Sequence, residues 1–429
     1  MGSPYSPAKI FLILIMMGCQ IPLLKSLAFS RCSFRLRRIS FQVMSSNVHM
    51  NKPSLFPRLR TRLLSTANAE SNLVLKSDED KKISIIGMDV EELKTLMAGM
   101  KQPAFRAKQI HQWLYEKGAS SFDDMTNLPA PLRGALAAVC TLEGLAVAVE
   151  LQSKDGTVKR AYRCGDGQVI ESVLMPYKDG RRTACISSQA GCAMGCVFCA
   201  TGQMGLSRQL TAAEIVEQVY RYDRELRSKG ERLSNIVFMG MGEPLNNYKN
   251  VMKAVRFINQ DIGIGARHIT ISTVGLVPRI HKLAEEDVQI KLAISLHAAN
   301  DEDRSALLPV NRRYNLNQLM DACENYIKIT NRRITFEYAL IAGENDTPQV
   351  AHELGRLLRR VKGFAHVNVI PLNPTAGFDG GPSQANAVNA FLEILNDKYK
   401  IPATPRVRRG IDIDAGCGQL KSEVLGKGF

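Results

Sequence analysis

Residues 1–69 hold no Asp and no Glu, yet ten Lys or Arg; subtracting those ten from the formal charge of +15 leaves +5 for residues 70–429. A surplus of that size suits RNA, although a solvated basic surface has the same composition. The apolar run at 10–24 is interrupted by Gly18, Gln20 and Pro22. It falls short of the ~20 residues that a membrane-spanning helix needs, so no membrane association is expected. No repeat period is apparent, which excludes solenoids and propellers. With 45% hydrophobic residues the chain can bury a large core, and a body of that kind needs no disulfide staples.

An acid-free head reads as an address rather than a fold. Residues 10–24 fit a signal-peptide core. The Arg- and Ser-rich stretch at 26–38 that follows resembles the second half of a two-part plastid presequence. Residues 1–75 are therefore expected to be a disordered targeting segment directing the chain to a plastid stroma. Residues 55–70 equally fit a mitochondrial presequence, which keeps the mitochondrial matrix, or the cytoplasm, as the alternative.

The body has a rhythm. Apolar spacing predicts three short helices within 80–142, a small accessory domain for gripping RNA. Alternating segments at 143–180, separated by "SKDG" and "GDG", predict an antiparallel β meander leading into the next domain. From 181 to 403 strands and helices alternate six times. Six βα units are too few for a closed eight-fold barrel, so the fold class is α/β, a partial (βα)6 barrel with helical and meander additions. Residues 404–429 are expected to add a last strand and a loop.

Three thiols, Cys192, Cys196 and Cys199, fall within eight positions of "GCAMGCVFCATGQMG". Structural zinc wants four ligands, commonly in two separated pairs; here there is one tight loop and no fourth thiol nearby. Three thiolates on a four-iron cluster leave one iron open to a ligand that must be both held and reduced. Cys-x3-Cys-x2-Cys after a first barrel strand resembles the radical S-adenosylmethionine (SAM) superfamily. That resemblance implies a [4Fe–4S] cluster and SAM, whose methionine end chelates the open iron. It also implies a SAM site built from Gly242 and Glu243 in "MGMGEP", Ser272 in "STVG", Ser295, Leu296 and His297 in "SLHA", and Asn373 in "IPLNP".

Cys140, Cys164 and Cys323 stand alone and read as small buried hydrophobes. Cys185 precedes the triplet by seven residues, while Cys417, flanked by two glycines in "GIDIDAGCGQL", reads as a mobile loop thiol rather than a core one. This last segment, with "FRAKQIHQWLYEKG" and "IESVLMP", resembles the radical-SAM adenine methyltransferases of ribosomal and transfer RNA. Adenine C2 lies between two ring nitrogens and is too electron-poor for polar attack on a sulfonium methyl. The resemblance implies a radical route with two SAM per turnover: Cys417 takes a methyl and carries it to the base, Glu171 removes the ring proton, and Cys185 attacks Cys417 sulfur, releasing product through a transient disulfide. It implies rRNA and tRNA substrates and an electron donor such as ferredoxin or flavodoxin; the chain is expected to act as a monomer. Arg406, Arg408 and Arg409, just before the Cys417 loop, are the candidates for phosphate contact, with Arg106, Lys108 and Lys117 as a second grip. Methylation at adenine C8, or radical chemistry on a small molecule, stays open as the alternative.

Overall fold

The computed structural model describes residues 82–421; the expected presequence, residues 1–75, lies outside the described residues. Strand β1 (Ile83–Ser84) opens the described chain. Helix α1 (Val90–Gly99) starts where Asp89 and Glu92 cap each other's backbone N–H groups, a reciprocal capping box. Helices α2 (Phe105–Tyr115) and α3 (Ala130–Val139) follow. Strand β2 (Cys140–Thr141) then returns to pair with β1 in parallel. Leu93, Met97, Ile110, Leu114 and Leu136, spaced three and four apart along their helices, bury this unit's apolar face.

The meander strands β3 (Ala146–Gln152), β4 (Val158–Arg163) and β5 (Val169–Pro176) lead to β6 (Arg182–Cys185). They are continuous with the barrel: β5 pairs antiparallel with β6, Val173 opposite Cys185, in one ten-stranded sheet. A hairpin of β7 (Gln189–Gly191) and β8 (Leu206–Gln209), with the short helix α4 (Ala200–Gln203) between them, interrupts the first βα connection. Helix α5 (Ala212–Ser228), capped by Thr211 and Glu214, completes it.

The regular units follow as β9 (Asn235–Phe238), α6 (Tyr248–Gln260), β10 (Ile269–Thr273), α7 (Val277–Ala284) and β11 (Lys291–Ser295). Then come α8 (Asp301–Leu307), α9 (Leu316–Thr330), β12 (Ile334–Leu340), α10 (Pro348–Leu358), β13 (Ala365–Pro371) and α11 (Ala385–Glu393). A short β14 (Ala403–Pro405) pairs in parallel with β13. Seven strands, β6 and β9 to β14, thus run parallel, and among the described strands no pairing joins β14 back to β3. The barrel is open, as the six-fold rhythm predicted. The seventh strand is only three residues long, too short to show a period.

Strand alternation makes the cavity. On one face of β10, β11 and β12 stand Ile271, Ile294, Phe336 and Tyr338, all fully buried, Tyr338 packing against Phe391 of α11 with ring centroids 5.5 Å apart. The opposite face carries Ser272, Ser295, Glu337 and Ala339. Successive side chains of a strand point to opposite faces, so the large residues pack under the helices and the small or polar ones line an unfilled interior.

Candidate active site

The three-thiol loop leaves β7 and returns as β8, so its ends are neighbours in a ribbon. Gly191 and Gly205 have φ of +76° and +73°, in the left-handed region, where glycine carries no Cβ penalty. A Cβ on Gly191 would collide with the Gly205 carbonyl, whose oxygen accepts from Cys192 N at 2.7 Å. A Cβ on Gly202 would lie 2.9 Å from the Cys196 carbonyl oxygen. Val197 N donates to Leu307 O at 3.1 Å, fastening the loop to the end of α8. Cys192 and Cys196 are buried and Cys199 is half-buried, yet all three line one cavity at the C-terminal rim of the barrel strands. Among the described residues no three His, Cys, Asp or Glu side chains close round a single ion.

The cavity is also lined by Gly242, Glu243, Ser272, Ser295, His297 and Asn373. Gly242 (φ +99°) lies so close to Gln189 that a Cβ would sit 2.5 Å from that side chain. Glu243 takes backbone donors, Leu245 N at 3.1 Å and Val274 N at 3.0 Å. Burial nevertheless raises its carboxyl to about 7. Ser272 and Ser295 hydroxyls stand 3.4 Å apart. His297 adopts φ +59° and its Nδ1 accepts from Ala339 N at 3.0 Å. Burial depresses its pKa to about 3, so the ring is neutral and its proton sits on Nε2, a donor. Asn373 donates from Nδ2 to Cys417 O at 3.0 Å, while its buried Oδ1 has no partner. Leu296 is placed differently from the expectation. Its side chain is fully buried in the core, and only its backbone serves the site, its carbonyl accepting from Arg304 Nε at 3.1 Å.

Cys417 is an exposed thiol on the cavity wall. The expectation of a mobile loop is replaced by a tethered one. Ala200 N donates to Gly418 O at 2.8 Å and Thr201 Oγ1 to Leu420 O at 2.6 Å. Gln419 accepts from Gly416 N and donates to Pro374 O, both at 3.0 Å. Cys185 is buried at the end of β6, paired with Val237 of β9, whose end lines the cavity; a negative charge on Cys417 would disfavour its thiolate. Burial, with that repulsion, raises the Cys185 thiol to about 12. Glu171, on β5, is 2% exposed. Its Oε1 lies 3.6 Å from Lys159 Nζ and its Oε2 accepts from Lys421 N at 2.9 Å, behind the Cys417 loop. Burial raises its carboxyl against the pull of Lys159.

Arg406 departs from its expected role. Its guanidinium points into the cavity, 3.3 Å from Glu337 Oε2 and 3.5 Å from Met239 sulfur. Arg409 lies over the Tyr177 ring at 4.5 Å and beside Asp155; Arg408 is exposed. Sequence reading missed Glu337, whose only signal was one charge in the apolar strand "RITFEYALI". It also missed Arg304, which sits on a helix too short to show a period.

An open parallel barrel with three thiols at its rim defines a radical SAM protein, and the description "Radical SAM superfamily" matches residues 186–354. Residues 83–142 match "Ribosomal RNA large subunit methyltransferase N-terminal domain". The dual-specificity RNA methyltransferase RlmN 1 of Myxococcus xanthus is 51% identical, over 80% of this chain and 96% of its own length. A probable RlmN of Moorella thermoacetica is 49% identical over 79% and 97%. A crystal structure of a radical SAM methyltransferase from Sphaerobacter thermophilus superposes with a TM-score of 0.75 at 49% identity, covering 80% of this chain and 100% of that one. The chain belongs to the RlmN family of dual-specificity RNA methyltransferases.

Proposed function

We propose that this enzyme methylates C2 of adenine in 23S-type rRNA and in tRNA. The observation that carries the proposal is the shared cavity: the triplet and Cys417 open on the same space, and Cys185 ends the strand next to the cavity-lining β9. The donor set fits the cofactors of the superfamily. The three thiols line one cavity, and three thiolates suit a [4Fe–4S] cluster with one iron left open. The unpartnered Asn373 Oδ1 and the Nε2–H of His297 are an acceptor and a donor for a SAM purine or ribose. Bound there, cluster and SAM would supply a carbon radical by reductive cleavage, with two SAM used per turnover.

The chain's own residues do the rest. Cys417, exposed on a fixed backbone, carries the methyl carbon on Sγ to the base. Cys185 then attacks Cys417 Sγ and frees the product as the disulfide forms; its raised pKa keeps it a thiol until that step. Glu171 takes the ring proton, its basicity raised by burial. Glu337 is a second reading for the base, because it lines the cavity and Glu171 does not. If Glu171→Gln leaves the covalent enzyme–RNA adduct unresolved and Glu337→Gln does not, the first assignment stands; the reverse pattern transfers the role to Glu337. Phosphate contacts fall to exposed Arg408 and to the helical unit with Arg106, Lys108 and Lys117, and a ferredoxin or flavodoxin supplies electrons to a monomer. The acid-free head supports plastid delivery, with the mitochondrial matrix as alternative; imaging a fluorescent fusion of residues 1–75 separates the two.

The deciding experiment is anaerobic reconstitution with RNA and methyl-labelled SAM, followed by nucleoside mass spectrometry. Labelled 2-methyladenosine is expected. Labelled 8-methyladenosine would move the assignment to C8, and no labelled nucleoside would end it.

A further inference from the structure

The function proposed above leaves one buried charge without a task. Arg304, on α8, is fully buried. Its guanidinium donates to Leu296 O at 3.1 Å, Val274 O at 2.6 Å, Ser295 O at 3.3 Å and Asn311 Oδ1 at 2.8 Å. Every one of these acceptors is neutral. Among the described residues the other buried arginine, Arg160, has carboxylate partners in Glu150 and Glu225, and the half-buried Arg221 and Arg406 have Glu217 and Glu337. Among the described residues no Asp or Glu stands within ion-pair distance of Arg304. Asp301, whose charge reaches it, has Oδ1 taken by Asn311 Nδ2 at 2.9 Å and Leu316 N at 2.8 Å.

A buried cation lacking an anion is strongly unfavourable even when its hydrogen bonds are made. Four neutral acceptors account for the fork of donors, but they do not neutralise the charge, which itself calls for an explanation. The packing around it shows where the anion belongs. Val274, whose carbonyl the guanidinium holds, packs its side chain against Cys196, as does Leu308 at the end of the same helix. The adjoining Val197 N is bonded to Leu307 O. The helix that carries Arg304, and the Val274 carbonyl that its guanidinium holds, are therefore packed against the segment that carries the Cys196 thiol.

We propose that Arg304 is the built-in counter-charge of the iron–sulfur cluster and raises the cluster's reduction potential. The proposal rests on the reading that the three thiols hold that cluster. Three thiolates round a doubly positive four-iron core leave one net negative charge, and the reducing electron makes it two. A fixed cation in a low-dielectric wall favours the more negative state. Cleaving SAM requires that electron, so the guanidinium eases the reduction on which turnover depends. Arg304 touches neither substrate nor reacting atoms and acts as a positioning residue.

The test is a potential rather than an activity. Wild type, Arg304→Gln, Arg304→Lys and Asn311→Asp are reconstituted anaerobically, checked for iron and sulfide, and titrated by electron paramagnetic resonance without SAM or RNA. Arg304→Gln, at full cluster content, is expected to lower the one-electron reduction equilibrium at least tenfold, a midpoint about 59 mV more negative. Arg304→Lys keeps the charge and is expected to stay within threefold of wild type. Asn311→Asp sets a carboxylate against the guanidinium and is expected to shift the potential in the same direction as Arg304→Gln. It decides the matter if the Gln variant fails to hold iron. A fully loaded charge-removing variant with wild-type potential overturns the proposal and leaves Arg304 a clamp on strand ends. Wild type that binds no iron–sulfur cluster at the three thiols overturns the reading of the site instead.

Discussion

Two loops bring thiols to the same cavity, and they are held by opposite means. The triplet loop is shaped by missing side chains: Gly191 and Gly202 let backbone lie against backbone, Gly205 takes the positive φ of the return, and the loop's thiols are sunk into the wall. The Cys417 loop is shaped by side chains reaching in from elsewhere. Asp412 accepts from Ser153 Oγ at 2.5 Å, the Asp414 carbonyl from Lys159 Nζ at 3.1 Å, and Gly410 N donates to Asp155 Oδ2 at 3.1 Å. Its thiol is left exposed. Close backbone packing is rigid and has no graded intermediate, which suits ligands that must never change partner. Discrete hydrogen bonds fix a backbone while leaving one side chain its freedom, which suits a sulfur that accepts carbon, delivers it and then pairs with another sulfur.

Breaking the first loop should cost everything at once. Gly191→Ala adds a Cβ at positive φ against the Gly205 carbonyl, a strain of about 2–4 kcal/mol concentrated on the loop. Iron content after reconstitution is expected to fall to background with the helical unit still folded by circular dichroism; a Gly191→Ala protein with a full iron complement sinks this account. Breaking the second loop at its sulfur should cost only product. Cys417→Ala is expected to keep iron at the wild-type level while methylated nucleoside drops below detection. Product formation by that variant would show that the exposed thiol is a bystander.

The two loops also differed in how far the sequence announced them. The triplet was legible because covalent chemistry fixes its spacing and its glycines are local, bonded within fifteen residues. The strand rhythm was legible for a like reason, since Ile, Val and Phe must pack under helices wherever they occur. What holds the Cys417 loop was not, because Ser153, Asp155 and Lys159 lie some 255 residues away in sequence. Such pairs leave no periodicity. Arg406 shows the same limit: read beside Arg408 and Arg409 it looked like a phosphate contact, and only the fold reveals that β14 turns it inward onto Glu337. Leu296 shows a third limit, since a motif names a residue without saying whether its side chain or its backbone faces the site.

A pH experiment sharpens the first loop's character. His297 stacks edge-on against Phe198 of the triplet loop, centroids 5.0 Å apart, and burial holds its pKa at about 3. Its folded pKa lies below the unfolded value of about 6.5. Between those values the unfolded chain binds the proton and the native one does not, so the stability contribution is complete above about pH 6.5 and is lost as pH falls toward 3. The swing is up to about 5 kcal/mol. His297→Asn tolerates the left-handed backbone and abolishes the titration. Denaturant unfolding of apo-protein should show the variant less stable at pH 7, by about 1–3 kcal/mol for the lost bond to Ala339 N. The deficit should shrink as pH drops below 6; one that stays constant with pH means the ring is not buried neutral.

The smallest effect expected is the one that tests the second loop's design most directly. Gln419→Ala removes the bonds to Gly416 N and Pro374 O, two neutral hydrogen bonds worth about 1 kcal/mol each. Neither bond touches the triplet, so iron content and SAM cleavage without RNA should match wild type. Transfer of methyl to RNA depends on where Cys417 sits, and misplacing it by the energy of those bonds should slow the step roughly ten- to thirtyfold. The ratio of 5′-deoxyadenosine to methylated nucleoside is the sensitive readout, because it rises only if the radical is made and the carbon goes undelivered. If the two fall together, the loops are not independently held: the Ala200 N to Gly418 O and Thr201 Oγ1 to Leu420 O bonds would then transmit strain from one to the other, making the two thiol sites a single mechanical unit.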